Sequence, residues 1–310
     1  MTNESLAALP EPPPTLGLER DVPLARHTYL RIGGPAAFFG TPPDLDTFVQ
    51  IWAWAKSHQV PLRIMGGGSN MLVADEGVRA VVVSLRRACG TLEFNENEVH
   101  AGAAVMLPAL AKAAAERNLG GLEFAIGIPG SVGGGMQTNA GIGDGRTIGA
   151  LVTSVEVLRD GVPVTMTSAQ VAFDYRNTSL RTAGDLVLGA RLALTPRPRD
   201  QIEAEMGRLL GTRQASQPTA EPNAGSVFRN PAKDRAGRMI ESVGGKDVAS
   251  GSAHVSSLHA NFIVHDGHAT AAEYLDVMTQ VQQLVRATYG VRLIPEIEWW
   301  GDSPPPDVFQ

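Results

Sequence analysis

The sequence predicts an α+β protein made of three consecutive units, and three observations carry that prediction. Helical apolar spacing is confined to a few segments, chiefly 45–59, 106–119, 201–213 and 270–289. Between them stand short runs rich in Val, Leu and Thr, bounded by the Gly, Pro, Asn and Asp residues that turns require. The pattern changes character near residues 85 and 200, dividing the 310 residues into units of ordinary domain size. The expected boundaries are 20–85, 86–200 and 201–303, with 1–19 and 304–310 as flexible tails.

The leading "MTNESLAALPEPPP" lacks a basic start followed by an apolar core and reads as a frayed leader. After "HTYLRIGGPAAFFG", which alternates apolar runs with turn signals, "LDTFVQIWAWAKSHQ" takes helical spacing. Leu45, Phe48, Val49, Trp52 and Ala53 form its expected apolar stripe, with Lys56 on the polar margin. "VPLRIMGGGSNMLVADEGVRAVVVSL" reads as strand, glycine loop, short strand, turn and strand, so the first unit is a small βαβ-like module. In the second unit "EVHAGAAV" is a strand and turn, and "MLPALAKAAAERNL" is a helix with Pro108 near its start and Gly120-Gly121 beyond its end. "IGALVTSVEVLRDG", "VPVTMTS" and "DLVLGARLALTP" then predict a mostly antiparallel sheet with hairpin turns such as Arg159-Asp160-Gly161. The third unit opens with a helix from Gln201 to about Arg213. It alternates strand and helix through "GSVFRNP", "GRMIESVGG" and "HANFIVHDGHA", and ends in a helical pattern from Thr270 to Tyr289 and in "VRLIPEIEWWG".

Composition narrows the function. A formal charge of -6 gives no basic surface for a polyanion, so an anionic substrate must be met by local arginines and nucleic acid is a poor partner. Cys89 is the single cysteine, which removes intramolecular disulfides and Cys-rich metal sites. The seven histidines form no H-E-x-x-H or tight ligand cluster, and no metal is expected. No run of about eighteen apolar residues occurs, and a cytoplasmic protein without an obligate protein partner is the simplest expectation.

Two glycine-rich stretches, "MGGGSN" and "GIPGSVGGGMQTNAG", stand beside strand-like sequence without a charged side chain. Glycine permits left-handed backbone and lets amide N–H groups approach an anion closely, so both could cradle a diphosphate; two tight structural turns are the plainer reading. Neither fits G-x-G-x-x-G at the required spacing, and no Gly-Lys-Ser or Gly-Lys-Thr is present, leaving a diphosphate cofactor held by a different fold. Arg176 in "FDYRNTSLR" is either a surface ion pair or an anion contact. Ser226 in "NAGSVFRNP" sits in no G-x-S-x-G elbow and is a turn hydroxyl unless its proton acceptor is carbanion-like. Glu296 in "RLIPEIEWW" lies in an apolar run that raises a carboxyl pKa, while a nearby arginine lowers it; Glu298 shares its strand face.

In order along the chain, "HTYLRIGG", "GGGSNMLV", "GLEFAIGIPGSVGGGMQTNAG", "FDYRNTSLR", "NAGSVFRNP", "AGRMIESVGG", "HANFIVHDG" and "LIPEIEWWG" resemble the UDP-N-acetylenolpyruvoylglucosamine reductase family. The resemblance implies a two-domain FAD-binding scaffold of the vanillyl-alcohol oxidase (PCMH) type plus a C-terminal α+β substrate domain. It implies dissociable FAD, NADPH as hydride donor, and reduction of UDP-N-acetylglucosamine enolpyruvate to UDP-N-acetylmuramate in peptidoglycan precursor synthesis. Gly66, Gly67, Gly68, Ser69 and Asn70 match the first cofactor loop, and Ile128, Pro129, Gly130, Ser131, Val132, Gly133 and Gly134, with Asn139, the second. Arg176 and Glu296 match the residues that stabilise developing charge, and Ser226 the proton donor. Tyr175, Arg176, Asn230 and His259 are the implied substrate contacts. The chain resembles the shorter form of the family, without a long tyrosine-bearing insertion. Ser216 stands where relatives commonly carry lysine, with Arg213, Arg229 and Arg235 as candidate replacements, and "GMQTNAG" departs from the usual apolar-basic version. Two other readings fit the glycine stretches: a sugar or alcohol oxidase on the same scaffold, which leaves the three C-terminal matches unexplained, and a non-catalytic flavin-binding protein.

Overall fold

Helix Leu45–Ser57 starts where Asp44 accepts the Thr47 N–H at 2.8 Å, satisfying one of the donors that a helix start leaves open. It crosses between the parallel strands Pro35–Gly40 and Leu62–Met65, which flank Val78–Ser84, while Glu19–Pro23 adds an antiparallel edge. The central strand buries Ala80, Val81, Val82 and Val83 completely, as a parallel strand covered on both faces must. The helix's buried stripe is Phe48, Ile51, Trp54 and Ala55, rotated from the expected one. Trp52 instead lies half-buried over Gly161 and under the Lys56 ammonium. The computed structural model describes residues 9–301 and 304–310.

The second unit is the expected antiparallel sheet, in the order Val162–Thr167, Val152–Arg159, Leu186–Ala193, Glu98–Gly102, Leu92–Asn95. Its first two strands are joined by Asp160-Gly161 alone, leaving no insertion there. One continuous core runs from Phe38 and Phe48 through Val155 and Leu192. Helix Arg199–Ser216 sends Ile202 and Met206 into that same core, so it packs with the second unit, and the change of packing comes after it rather than at residue 200.

The third unit has its own core around helix Ala271–Tyr289, which opens with a Thr270/Glu273 capping box and buries Tyr274, Val277, Met278, Val281 and Val285. Helix Ala236–Ser242 and the strands Ala249–Ser250, Ala253–Val255 and Ile263–His265 complete it. Leu30, Ile32 and Leu72 of the first unit also enter this core. Strand Glu298–Trp300 returns to pair in parallel with Met71–Val73, directly after the first glycine stretch. The expected tails are partly structured. Leu16 is buried in the first core, while Val308 is buried in the third with Arg292 Nη2 donating to Asp307 O at 2.7 Å. The remainder of the expected leader, residues 1–8, and residues 302 and 303 lie outside the described residues.

Candidate active site

The three units converge on a cleft of about 1060 Å³. The first glycine stretch enters it at the end of strand Leu62–Met65. Gly68 has φ 65°, and a Cβ there would stand 2.1 Å from His27 O, so no other residue fits without moving backbone. A Cβ on Gly67 would lie 3.3 Å from Gly130 Cα, because the two glycine stretches rest against each other. Among the described residues, no backbone acceptor takes the N–H groups of Gly66, Gly67, Gly68, Ser69, Gly130 or Ser131. Clustered amide donors without acceptors, lined by side chains no larger than serine, suit the diphosphate of a dinucleotide such as FAD.

The second stretch is only half a loop. Val132–Thr138 is a short helix whose N-cap Ser131 accepts the Gly134 N–H at 3.4 Å. Two expected cofactor contacts, Val132 and Asn139, stand behind this helix start rather than on the cleft lining. Val132 is fully buried with its N–H on Val105 O at 2.8 Å, and Asn139, at φ 46°, ends the helix while its amide joins Asp174 O and the Gly149 N–H. Neither lines the cleft, whereas Ile128, Pro129, Gly130, Ser131, Gly133 and Gly134 do. Gly133 has a packing duty as well, since a Cβ would meet that of Ala103 at 3.0 Å.

Tyr175 and Arg176 form the two-residue turn between Phe173–Asp174 and Asn177–Thr178, not a continuous extended run. Arg176 holds φ 55°, an uncommon conformation for a non-glycine residue that re-aims its side chain. Its Nε lies 2.6 Å from Glu296 Oε1, a charge contact in which Nε makes no aligned hydrogen bond. Burial pushes the Glu296 carboxyl above the ordinary carboxylate range, opposed by Arg176 and, more weakly, by Arg229. The Glu296 N–H donates to Val227 O at 2.7 Å, and Asn70 Nδ2 donates to Glu296 O at 3.2 Å. Asn70, expected on the cofactor, therefore has its side-chain NH2 on the C-terminal segment. Ser226 lines the same cleft and its hydroxyl has no hydrogen-bond partner among the described residues.

Asn230 and His259 also line the cleft. Asn230 Oδ1 is occupied by the Ala236 N–H at 3.0 Å. His259 Nδ1 accepts the Asn261 N–H at 3.2 Å, and burial lowers the ring's pKa, which puts the proton of its neutral form on Nε2. Arg213, Arg229 and Arg235 line the same cleft as Ser216, bringing cationic side chains to it in a chain of charge -6. The residue that sequence reasoning missed is Asn261, 4% exposed, whose amide brackets Phe228 with bonds of 3.0 and 2.8 Å. Its only sequence signal was its place in "HANFIVHDG".

Residues 217–300 match the family model for the UDP-N-acetylenolpyruvoylglucosamine reductase C-terminal domain, and residues 36–166 match that of an FAD binding domain. The chain is 40% identical over 287 residues to UDP-N-acetylenolpyruvoylglucosamine reductase 2 of Symbiobacterium thermophilum, covering 93% of each chain. With the reductase of Moorella thermoacetica the identity is 41% over 286 residues, covering 91% of this chain and 92% of the relative. Among solved structures, UDP-N-acetylenolpyruvylglucosamine reductase from Thermus caldophilus superposes with a TM-score of 0.78 at 33% identity, covering 91% of this chain and 98% of that one.

Proposed function

The chain belongs to the UDP-N-acetylenolpyruvoylglucosamine reductase family and reduces UDP-N-acetylglucosamine enolpyruvate with FAD; from that premise we propose that NADPH is the hydride donor and that Arg176, Ser226 and Glu296 carry the substrate chemistry. The observation that carries this reading is their meeting, from three distant stretches of sequence, in the cleft that the two glycine stretches line. A flavin scaffold of the vanillyl-alcohol oxidase type and a cytoplasmic location are part of the same proposal.

When bound, FAD would supply two-electron redox chemistry at this site. The amides of Gly66–Ser69, Gly130 and Ser131 would hold its diphosphate. Hydride addition to the terminal carbon of the enolpyruvyl group leaves negative charge on the adjoining carbon and its carboxylate. Arg176 faces that charge, its guanidinium held by the turn conformation and by Glu296. Ser226 gives its hydroxyl proton to the carbon alpha to the carboxylate, an acceptor basic enough for so weak an acid. Arg213, Arg229 and Arg235 offer charge to the nucleotide diphosphate in place of the lysine absent at Ser216.

Mixing FAD-loaded protein with NADPH and the enolpyruvyl substrate tests the proposal. It predicts one NADPH consumed per UDP-N-acetylmuramate formed. Oxygen consumption with a simple sugar or alcohol, without that product, would instead identify an oxidase.

A further inference from the structure

We propose that Asn261 is a positioning residue that fixes Ser226 and Glu296 relative to each other, an inference that rests on reading Ser226 as the proton donor. Four bonds converge on this one buried residue. Its Oδ1 accepts the Phe228 N–H at 3.0 Å and its Nδ2 donates to Phe228 O at 2.8 Å. Its carbonyl accepts the Val227 N–H at 2.9 Å, and its own N–H donates to His259 Nδ1 at 3.2 Å. Both side-chain polar atoms are thus engaged with the backbone of Phe228, two residues after Ser226.

The Val227–Phe228 peptide, whose N–H Asn261 accepts, also holds Glu296. Val227 O accepts the Glu296 N–H at 2.7 Å, and Pro295 bridges Phe228, whose ring is buried. Asn70, at the end of the first glycine stretch, holds Glu296 O from the other side. A continuous run of hydrogen bonds therefore leads from the cofactor-side loop through Glu296 and Val227 to Asn261. The clamp acts on the residues that meet the substrate and leaves the amides of Gly66–Ser69 and Gly130 untouched.

Asn261→Ala removes the two side-chain bonds and keeps both backbone ones. Asn261→Asp, which retains the volume and the acceptor for the Phe228 N–H, is read in the same way if the alanine variant does not fold. In anaerobic half-reactions of FAD-loaded protein, flavin reduction by NADPH should stay within about twofold, while reoxidation by the enolpyruvyl substrate slows about tenfold or more, as small misplacements of reacting groups do. Substrate affinity measured by calorimetry should change by less than about threefold, and the effect on reoxidation should shrink in a Ser226→Ala background, where the hydroxyl that must be placed against Glu296 is gone. Equal slowing of both half-reactions, unchanged reoxidation, or full additivity with Ser226→Ala would overturn the inference. Wild-type protein that the substrate cannot reoxidise would instead refute the functional reading beneath it.

Discussion

Gly68→Ala and Gly130→Val change neighbouring glycines of one cleft and should fail in opposite ways. At Gly68 the new Cβ would lie 2.1 Å from His27 O, more than 1 Å inside the roughly 3.3 Å at which carbon and oxygen meet. The left-handed φ of 65° alone costs an alanine about 1–2 kcal/mol. Relieving the clash pulls the loop from residues 27–29 and loosens the Tyr29 N–H to Gly68 O bond of 2.9 Å, a further loss of about 0.5–1.5 kcal/mol. The expected destabilisation is thus about 1.5–3.5 kcal/mol, present whether or not flavin is bound. At Gly130 φ is not positive, and the nearest atom to a Cβ is Ser69 Oγ at 3.6 Å, an ordinary contact. A valine there keeps the apoprotein's stability but projects between the two amide-lined stretches, lowering FAD affinity at least about tenfold, or 1.4 kcal/mol. Denaturant unfolding of flavin-stripped protein and FAD titration followed by flavin fluorescence separate the two effects. An unchanged unfolding midpoint for Gly68→Ala, or undiminished FAD affinity for Gly130→Val, would refute this assignment of structural and ligand-facing glycines.

Three further outcomes follow from other parts of the site and core. Ser226→Ala should leave flavin reduction by NADPH near normal and slow reoxidation by the enolpyruvyl substrate about a hundred- to ten-thousand-fold, measured by rapid mixing; the reverse pattern removes Ser226 as proton donor. Glu296 has a native pKa raised above its ordinary 4.5, so the native state keeps a proton that the unfolded chain has lost, and stability falls as pH rises from 4.5 through the raised value. The apoprotein of Glu296→Gln should therefore be more stable than wild type at pH 7, with the difference shrinking below pH 4.5; parallel stability curves would contradict the dominance of burial at this carboxyl. Tyr274 is fully buried with no hydrogen-bond partner for its hydroxyl among the described residues, so Tyr274→Phe should be neutral or stabilising by about 1 kcal/mol in urea unfolding. A clear loss of stability would show that the hydroxyl has a partner.

Local signals were legible in the sequence, and long-range closure was not. Pro108 and Thr270 mark helix starts because capping acts over three or four residues. The ordered motifs led to Arg176, Ser226 and Glu296, which the fold brings to one cleft. The stripe of helix Leu45–Ser57 was misjudged because either of two overlapping apolar faces fits its spacing, and only the sheet and the Gly161 turn beneath Trp52 decide between them. Helix Arg199–Ser216 has a largely polar surface, and it joins the first core through the buried Ile202 and Met206 and the partly buried Leu209 and Leu210. That a helix starts at Val132, burying that side chain and making Asn139 its cap, was not legible in a stretch so rich in glycine. The parallel pairing of Met71–Val73 with Glu298–Trp300 and the Asn261 clamp join segments far apart in sequence, which no local periodicity encodes.

The most direct test is anaerobic sequential mixing of the FAD-loaded wild-type protein, followed by the visible absorbance of its flavin. Two half-reactions in one cleft predict that NADPH bleaches the flavin and that UDP-N-acetylglucosamine enolpyruvate then restores its colour, with one UDP-N-acetylmuramate formed per flavin reoxidised. Fully reduced, folded protein whose flavin stays bleached in the presence of that substrate would contradict the assigned reduction.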